Sequence, residues 1–240
     1  MENNLLNIPH ENGDLVDIDI GEIIDEFLEE EARPKRVGVY FPSEIGMCIR
    51  RSYYSYGLPK PTERSALRIF ALGNSVHSFI AEALKASKEF STVEEEKPIK
   101  IQHNGPDGSF SIYGRIDDYV VTKAGSKKII IEAKSVGDIN RVEKPEMKHV
   151  MQIMLYLAAQ EADYGILVYA DKKNLEIRQF RVDYDDGLYR KVMSRFEELD
   201  SHLKRKKLPR AEYYFDADKV WECKYCPYFQ DCMQAIADDE

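Results

Sequence analysis

The sequence predicts an α/β layered core with flanking additions. Three observations carry that expectation. Helix-like and strand-like segments follow one another in the order helix, strands, helix, strands, helix. Two apolar runs around a Gly-containing turn read as a hairpin near the middle of the chain. The 240 residues are 43% hydrophobic and 32% charged, which suits one large core or two small ones.

In order along the chain, residues 1–13 read as a loose arm and 18–31 as an acidic amphipathic helix. Pro34 and Pro42 bracket a short strand, RVGVYF. Residues 62–89 carry Leu67, Phe70, Ala71, Val76, Ile80 and Leu84 at helix spacing. Residues 90–107 read as a charged connection, with turn signals at Asn104-Gly105-Pro106. The hairpin follows: Phe110 to Val121, a turn at Lys123 to Ser126, then Lys128 to Ser135. Residues 145–162 read as a helix with Pro145 near its first turn. Two strands, Tyr164 to Ala170 and Leu175 to Val182, flank Lys172-Lys173-Asn174. Residues 184–207 form a long helix ending in the basic run Lys204 to Lys207, and a short cysteine-rich end spans Trp221 to Cys232. No repeat of 20 to 50 residues is present.

Composition excludes a collagen, a low-complexity chain and a disulfide-stapled miniprotein. No apolar run reaches the roughly 18 residues of a membrane span. The start lacks the basic and apolar regions of a secretory signal, so a cytoplasmic location with no membrane partner is expected. The net charge of −9 is unevenly placed. Residues 1–31 hold eleven acids and no Lys or Arg, while the other 209 residues hold 32 acids and 34 bases. An acidic total therefore does not exclude a polyanionic partner. The acidic segment either solvates the chain or screens a basic groove.

The hairpin carries the sharpest chemical signal. Asp117 lies in Gly114-Arg115-Ile116-Asp117, and Glu132-Ala133-Lys134 follows on the next strand. Strand alternation points Glu132 and Lys134 the same way, and Ala133 to a packed interior. Two carboxylates with water and a phosphate oxygen suit Mg²⁺ or Mn²⁺. Lys134 would then orient a water or stabilise developing negative charge. Taken alone, this spacing also suits a cross-strand salt bridge on a wet sheet face. Gln152 and Tyr156 share a helix face, with His149 on the same side. Such groups hold phosphate or a base, and equally serve as ordinary polar positions. His77 lies one turn after Gly73, where the missing side chain would let another backbone approach; a lone His there also suits a structural role.

Cys223, Cys226 and Cys232 form C-x2-C-x5-C, with Cys48 far upstream. In an intracellular chain this pattern favours metal or cluster ligation over disulfides. Both Zn²⁺ and an iron–sulfur cluster accept four cysteines. Either would clamp the N-terminal region to the C-terminal end.

Taken together, Cys48-x-Arg50-Arg51, His77, Gly114-Arg115-Ile116-Asp117, Glu132-Ala133-Lys134, Gln152-x3-Tyr156 and the cysteine triplet resemble a known family. Their order is that of the PD-(D/E)XK superfamily, in its RecB-type branch with a cluster. By size and layout the chain is similar to the CRISPR-associated exonucleases that act beside the adaptation integrase. The resemblance spans roughly residues 40 to 232. It implies a restriction-endonuclease-like core, a mixed central sheet flanked by helices. A cluster subdomain would join the N- and C-terminal regions. The implied division is an acidic extension over 1–35 and a nuclease domain over 36–240.

The resemblance also implies roles. Asp117, Glu132 and Lys134 would be catalytic. His77, Asp117, Glu132 and the Ala133 carbonyl would hold Mn²⁺ or Mg²⁺. Cys48, Cys223, Cys226 and Cys232 would hold a [4Fe–4S] cluster. Gln152 and Tyr156 would touch DNA. Relatives cleave single-stranded DNA, often from a 5′ end, and some trim prespacers before integration. The superfamily's Pro-Asp form is absent, as is common in the RecB branch.

Arg50, Arg51, Arg210 and the 204–207 run are candidate phosphate contacts, although a basic helix end also complements the helix dipole. Tyr53, Tyr54 and Tyr56 suit either a single-strand groove or core packing. The chain lacks a G-x-x-x-x-G-K-[ST] phosphate loop and a G-x-S-x-G elbow. The rival readings are a non-catalytic DNA-binding or assembly subunit, a viral or repair nuclease of the same branch, and a zinc-stabilised structural domain.

Overall fold

The computed structural model describes residues 18–29 and 35–238. The expected arm at 1–13, Glu30, Glu31 and Pro34 lie outside the described residues.

The helices are α1 (Ile20–Leu28), α2 (Ile49–Gly57), α3 (Arg64–Ala86), α4 (Met147–Gln160), α5 (Asp186–Lys204) and α6 (Phe229–Asp238). The strands are β1 (Val39–Tyr40), β2 (Phe90–Gly105), β3 (Gly108–Thr122), β4 (Lys128–Val136), β5 (Tyr164–Asp171) and β6 (Ile177–Val182). They form one mixed six-stranded sheet in the order β1-β3-β4-β5-β6, with β2 also on β3. The β1–β3 and β4–β5 pairs are parallel and the others antiparallel. A mixed central sheet flanked by helices is therefore the observed architecture.

One feature of this sheet positions the site. Strand β2 runs along one edge of β3 for nearly its whole length. The other edge of β3 is shared. Its C-terminal half pairs with β4 from Asp118 to Val121, and its N-terminal half pairs with β1 at Ser111 and Ile112. Between these contacts β3 and β4 part company, and β4 runs on beside β5 through Val136. Asp117, Glu132 and Lys134 sit at this fork.

Apolar packing fixes the fork from both sides. Ile153, Met154, Tyr156 and Leu157 of α4 pack with Ile116, Ile130, Leu167 and Tyr169 of the sheet. A second cluster joins Tyr40, Ile112 and Leu155 to Val192, Phe196 and Leu199 of α5. On the opposite face, Ile80 and Leu84 of α3 cover Val120, Ile129, Ile131 and Val168. Burial on this scale contributes about 25 cal/mol per Å² of apolar surface removed from water.

Helix α1 docks in an unusual way. Its carboxylates face α3: Asp25 forks onto the Arg68 guanidinium, and Glu22 and Glu29 both bind Arg64. Its apolar residues Ile20, Ile23, Ile24 and Phe27 face outward. The acidic segment is thus a helix held by ion pairs, with its oily face unpartnered among the described residues.

The structure corrects several expectations. Residues 90–107 are not a connection. They form the longest strand, β2, which turns at Pro106-Asp107 into β3. The run Glu94-Glu95-Glu96-Lys97 hid it, because an edge strand with a wet outer face tolerates charge and Pro98. The RVGVYF strand shrinks to Val39–Tyr40 because Val37-Gly38 turn, with Gly38 at φ +87°. Helices α2 and α6 flank the cysteines where no helix was expected. Tyr54 and Tyr56 are core: Tyr54 stacks on Tyr228, and the Tyr56 hydroxyl lies 2.8 Å from both Val39 O and a Glu44 carboxylate oxygen. The 204–207 run is partly committed, Lys204 to Asp200 and Arg205 to Asp107.

Candidate active site

Each side chain at the fork is placed by its element. Strand alternation puts Glu132 and Lys134 on one face of β4, where the Lys134 ammonium donates to Glu132 Oε1 at 2.6 Å. Ala133, between them, is fully buried. The Asp117 carboxylate reaches across the gap and accepts the Ala133 main-chain N–H at 2.8 Å. From α3, His77 Nδ1 comes within 3.6 Å of the same Asp117 oxygen. Gly73, one turn earlier, lies against β4: a Cβ there would sit 3.3 Å from the Ser135 hydroxyl. The approach expected at Gly73 is thus made by a side chain.

Glu132 and Lys134 do form an ion pair, but along one strand and not across two. The face is not wet, because Glu132 is wholly buried and its Oε2 has no hydrogen-bond partner. Burial, with Asp117 beside it, pushes the Glu132 carboxyl up to about 8. Burial also works against the Lys134 ammonium, but the Glu132 and Asp117 carboxylates outweigh it and raise Lys134 overall. Lys134 is therefore a cation rather than a base.

The fork is short of positive charge. Two carboxylates share one lysine, and one buried oxygen is unmatched. That is the environment a hard divalent ion relieves. Asp117 and Glu132 fit such an ion by chemistry. Among the described residues no group of three or more His, Cys, Asp or Glu side chains is arranged to hold a metal ion.

Asp117 opens onto a cavity of about 530 Å³, lined also by Glu96, Tyr113, Gly114, Arg115, Gln152 and Tyr156. Gln152 Nε2 donates to the Tyr156 hydroxyl at 3.1 Å, and both are buried on α4. Burial and the Glu132 charge hold the Tyr156 phenol well above its usual range. Gly114 is required here: a Cβ would fall 2.8 Å from Pro42 Cγ and 3.1 Å from the Tyr156 ring.

Sequence reasoning missed Glu96 and the tie of His149. Glu96 takes φ +52° opposite Asp117, where the β2–β3 ladder is interrupted, and pairs with Arg115 at 3.0 Å. A non-glycine residue in that region carries strain. No local signal marks it once the strand itself goes unrecognised. His149 faces Tyr169 rather than the cavity, at 2.9 Å from its hydroxyl. Burial, with Lys134 near, lowers it to about 3, so it stays neutral.

The four cysteines are free thiols and line one small cavity of about 30 Å³. Cys48 caps α2, Cys223 lies in a short 3₁₀ turn (Val220–Tyr225), and Cys232 lies in α6. Burial raises Cys223, and the other three cysteines add to the rise. By donor type four thiols suit a soft metal centre, although among the described residues no three of them are arranged to hold one.

Arg50 is not a surface residue. Its Nε donates to Pro209 O at 2.6 Å and its Nη1 to Cys232 Sγ at 3.7 Å. A phosphate could not reach it, so the expected DNA contact is corrected to a brace of the cysteine cavity. Arg51 lines the same cavity and a neighbouring one with Lys35 and Lys60. Arg210 lies over the Phe215 ring.

Residues 19–233 match the model of the PD-(D/E)XK nuclease superfamily. The chain is 25% identical over 222 residues to the CRISPR-associated exonuclease Cas4 of Saccharolobus solfataricus, covering 88% of this chain and 98% of that protein. Among solved structures, SSO0001 aligns with a TM-score of 0.63 at 23% identity, over 88% of this chain and 94% of its own. An alkaline exonuclease from Laribacter hongkongensis, LHK-Exo, aligns with a TM-score of 0.51 at 16% identity, over 72% and 91%. At these identities the two structures bear on the fold. No helix among the described residues is long and apolar enough to cross a membrane.

Proposed function

Because the chain belongs to the PD-(D/E)XK nuclease superfamily, and is a nuclease, we propose that it is a metal-dependent DNA exonuclease acting on single-stranded ends. We place it in CRISPR spacer acquisition, trimming prespacers from 5′ to 3′ beside the adaptation integrase, in the cytoplasm. The observation that carries the reading is the convergence of Asp117, Glu132 and Lys134 at the strand fork. The CRISPR setting draws on the name of the Saccharolobus relative, and spacer acquisition on the resemblance of the motifs alone.

Asp117 and Glu132, with His77 and the Ala133 carbonyl, would hold Mg²⁺ or Mn²⁺, which would supply neutralisation of phosphate charge and a more acidic water. The remaining work falls to the chain. Lys134 keeps its proton and donates hydrogen bonds, either to the attacking water or to a non-bridging phosphate oxygen as negative charge grows there. The Ala133 N–H fixes the Asp117 carboxylate, so its orientation does not depend on solvent. Gln152 and Tyr156 wall the cavity in which the sugar–phosphate would lie, with Tyr156 in its neutral form. Hydrolysis adds water across the P–O bond and leaves one phosphate and one hydroxyl end.

We further read Cys48, Cys223, Cys226 and Cys232 as ligands of a [4Fe–4S] cluster. Their common cavity and the Arg50 brace to Pro209 and Cys232 support a clamp between α2 and the C-terminal segment. Arg51, exposed to the neighbouring basic cavity, is the proposed phosphate contact of the pair.

Incubating anaerobically purified protein with Mn²⁺ and single strands labelled at the 5′ or the 3′ end tests the polarity. Early loss of the 5′ label as short products supports it. Early loss of the 3′ label, or internal cuts in a circular strand, would overturn it.

A further inference from the structure

A further cavity, of about 590 Å³, lies between the segment after β4 and the C-terminal cysteine segment. Arg141, Lys144, Lys148, Lys219 and Trp221 are among its walls. The first turn of α4 lines it through Met147 and Lys148, and later turns line the Asp117 cavity through Gln152 and Tyr156. The Glu146 carboxylate in its wall acts on the Lys134 ammonium. The two cavities share no lining residue but lie along one helix, α4.

Its lining is chemically specific. Trp221 is 54% exposed and meets Tyr225, 76% exposed, edge-on at 6.3 Å. Large aromatic faces left to water are costly unless something covers them. Four cations oppose three carboxylates, Glu143, Glu146 and Glu222. Lys148 pairs with Glu146 at 2.6 Å, Lys219 loosely with Glu222 at 3.3 Å, and Arg141 with Asp138 outside the cavity at 3.4 Å. Lys144 is exposed and pairs with no carboxylate among the described residues. An aromatic face flanked by ammonium groups suits an unpaired base with its phosphates, since only an unpaired base offers its face for stacking.

We propose that this cavity is a subsite for single-stranded DNA, in which a base stacks on Trp221 and the flanking phosphates are held by Lys144 and Lys219. The inference rests on the nuclease reading and says where the strand runs beside the fork. It also gives the cysteine segment a second task, that of presenting Trp221.

Trp221 is the only tryptophan of the chain, so its emission reports on the subsite directly. Full-length, cluster-loaded protein is titrated with dye-labelled oligothymidylate in EDTA, following dye anisotropy and Trp emission together. The expected result is saturable quenching of Trp221 that tracks the anisotropy. Trp221→Ala should weaken binding about tenfold, the usual scale for losing one stacked base. Lys144→Ala, far from the cysteines, should weaken binding and flatten the slope of log affinity on log salt by about one. Iron content checks whether Trp221→Ala has disturbed its segment; where it has, Lys144→Ala and wild-type emission carry the test. Strand binding with unchanged emission and unchanged Lys144→Ala affinity would overturn the subsite while leaving the nuclease reading intact. No strand binding at all would overturn both.

Discussion

The Asp117 carboxylate accepts the Ala133 main-chain N–H at 2.8 Å. That hydrogen bond stands where the β3–β4 ladder has just ended, after Asp118 and Ile131. Strand β4 would otherwise present an unpaired donor at the fork, and a buried donor must be matched. The same contact that closes the sheet therefore aims a carboxylate. It also draws Asp117 close to Glu132, which is why burial and like charge fall together on one oxygen pair.

Asp118, the neighbour on the other face, bears a cost that has no catalytic return. It is buried, its Oδ1 is unpartnered, and burial with the Asp117 charge pushes it up to about 7. Glu95 and Glu96 add to the rise and Lys85 opposes it. A carboxyl raised in the folded state gives stability that is full at low pH and is lost as pH climbs through about 7. Asp118→Asn removes that loss. In EDTA, the melting advantage of Asp118→Asn should grow from pH 5 to about pH 7.5 and then level off, with a slope of at most about 1.4 kcal/mol per pH unit. A gap that shrinks over this range would contradict the placement of Asp118. Cleavage is not expected to follow the same profile.

Helix α1 is held by Asp25–Arg68 and Glu22/Glu29–Arg64 rather than by apolar burial. The arginines of these pairs are exposed, so salt screens the attraction. Hydrogen exchange over residues 20–28 should accelerate several-fold between about 0.1 M and 1 M salt, with α3 protected throughout. Arg68→Ala should reproduce the fast exchange at low salt. Exchange indifferent to both would mean that α1 is anchored by other contacts.

Cys226→Ser tests the clamp. Loss of one ligand should strip the iron and the absorbance near 400 nm, and lower the melting temperature, because metal binding adds to folding free energy. The fork lies outside this cavity, so its residues should keep their arrangement. Full iron with unchanged melting would contradict the ligand assignment.

The sequence made the fork legible for a physical reason. Alternation alone places Glu132 and Lys134 together, and a hairpin turn alone brings Asp117 beside them. The helices α3, α4 and α5 announced themselves by apolar spacing. Strand β2 did not, since its charges sit on an edge whose outer face meets water. With β2 unseen, the strained Glu96 opposite Asp117 was invisible too. Arg50 misled because an arginine beside a cysteine motif looks like a phosphate contact, and only burial reveals that its donors are taken by Pro209 and Cys232. Trp221 carried no pattern at all; its place beside Lys144 depends on two segments far apart in the chain.

The central claim is that the fork is a phosphodiesterase centre in which the Lys134 cation acts on the reacting phosphate or water. The most direct measurement compares wild type with Lys134→Ala on end-labelled single strands with Mn²⁺, alongside iron content, melting temperature and strand affinity. The account predicts cleavage by wild type, and a rate lower by at least about 10²-fold in the variant, with iron and affinity retained. Equal cleavage by both proteins, or none by a wild type that is folded, iron-loaded and bound to DNA, would contradict it.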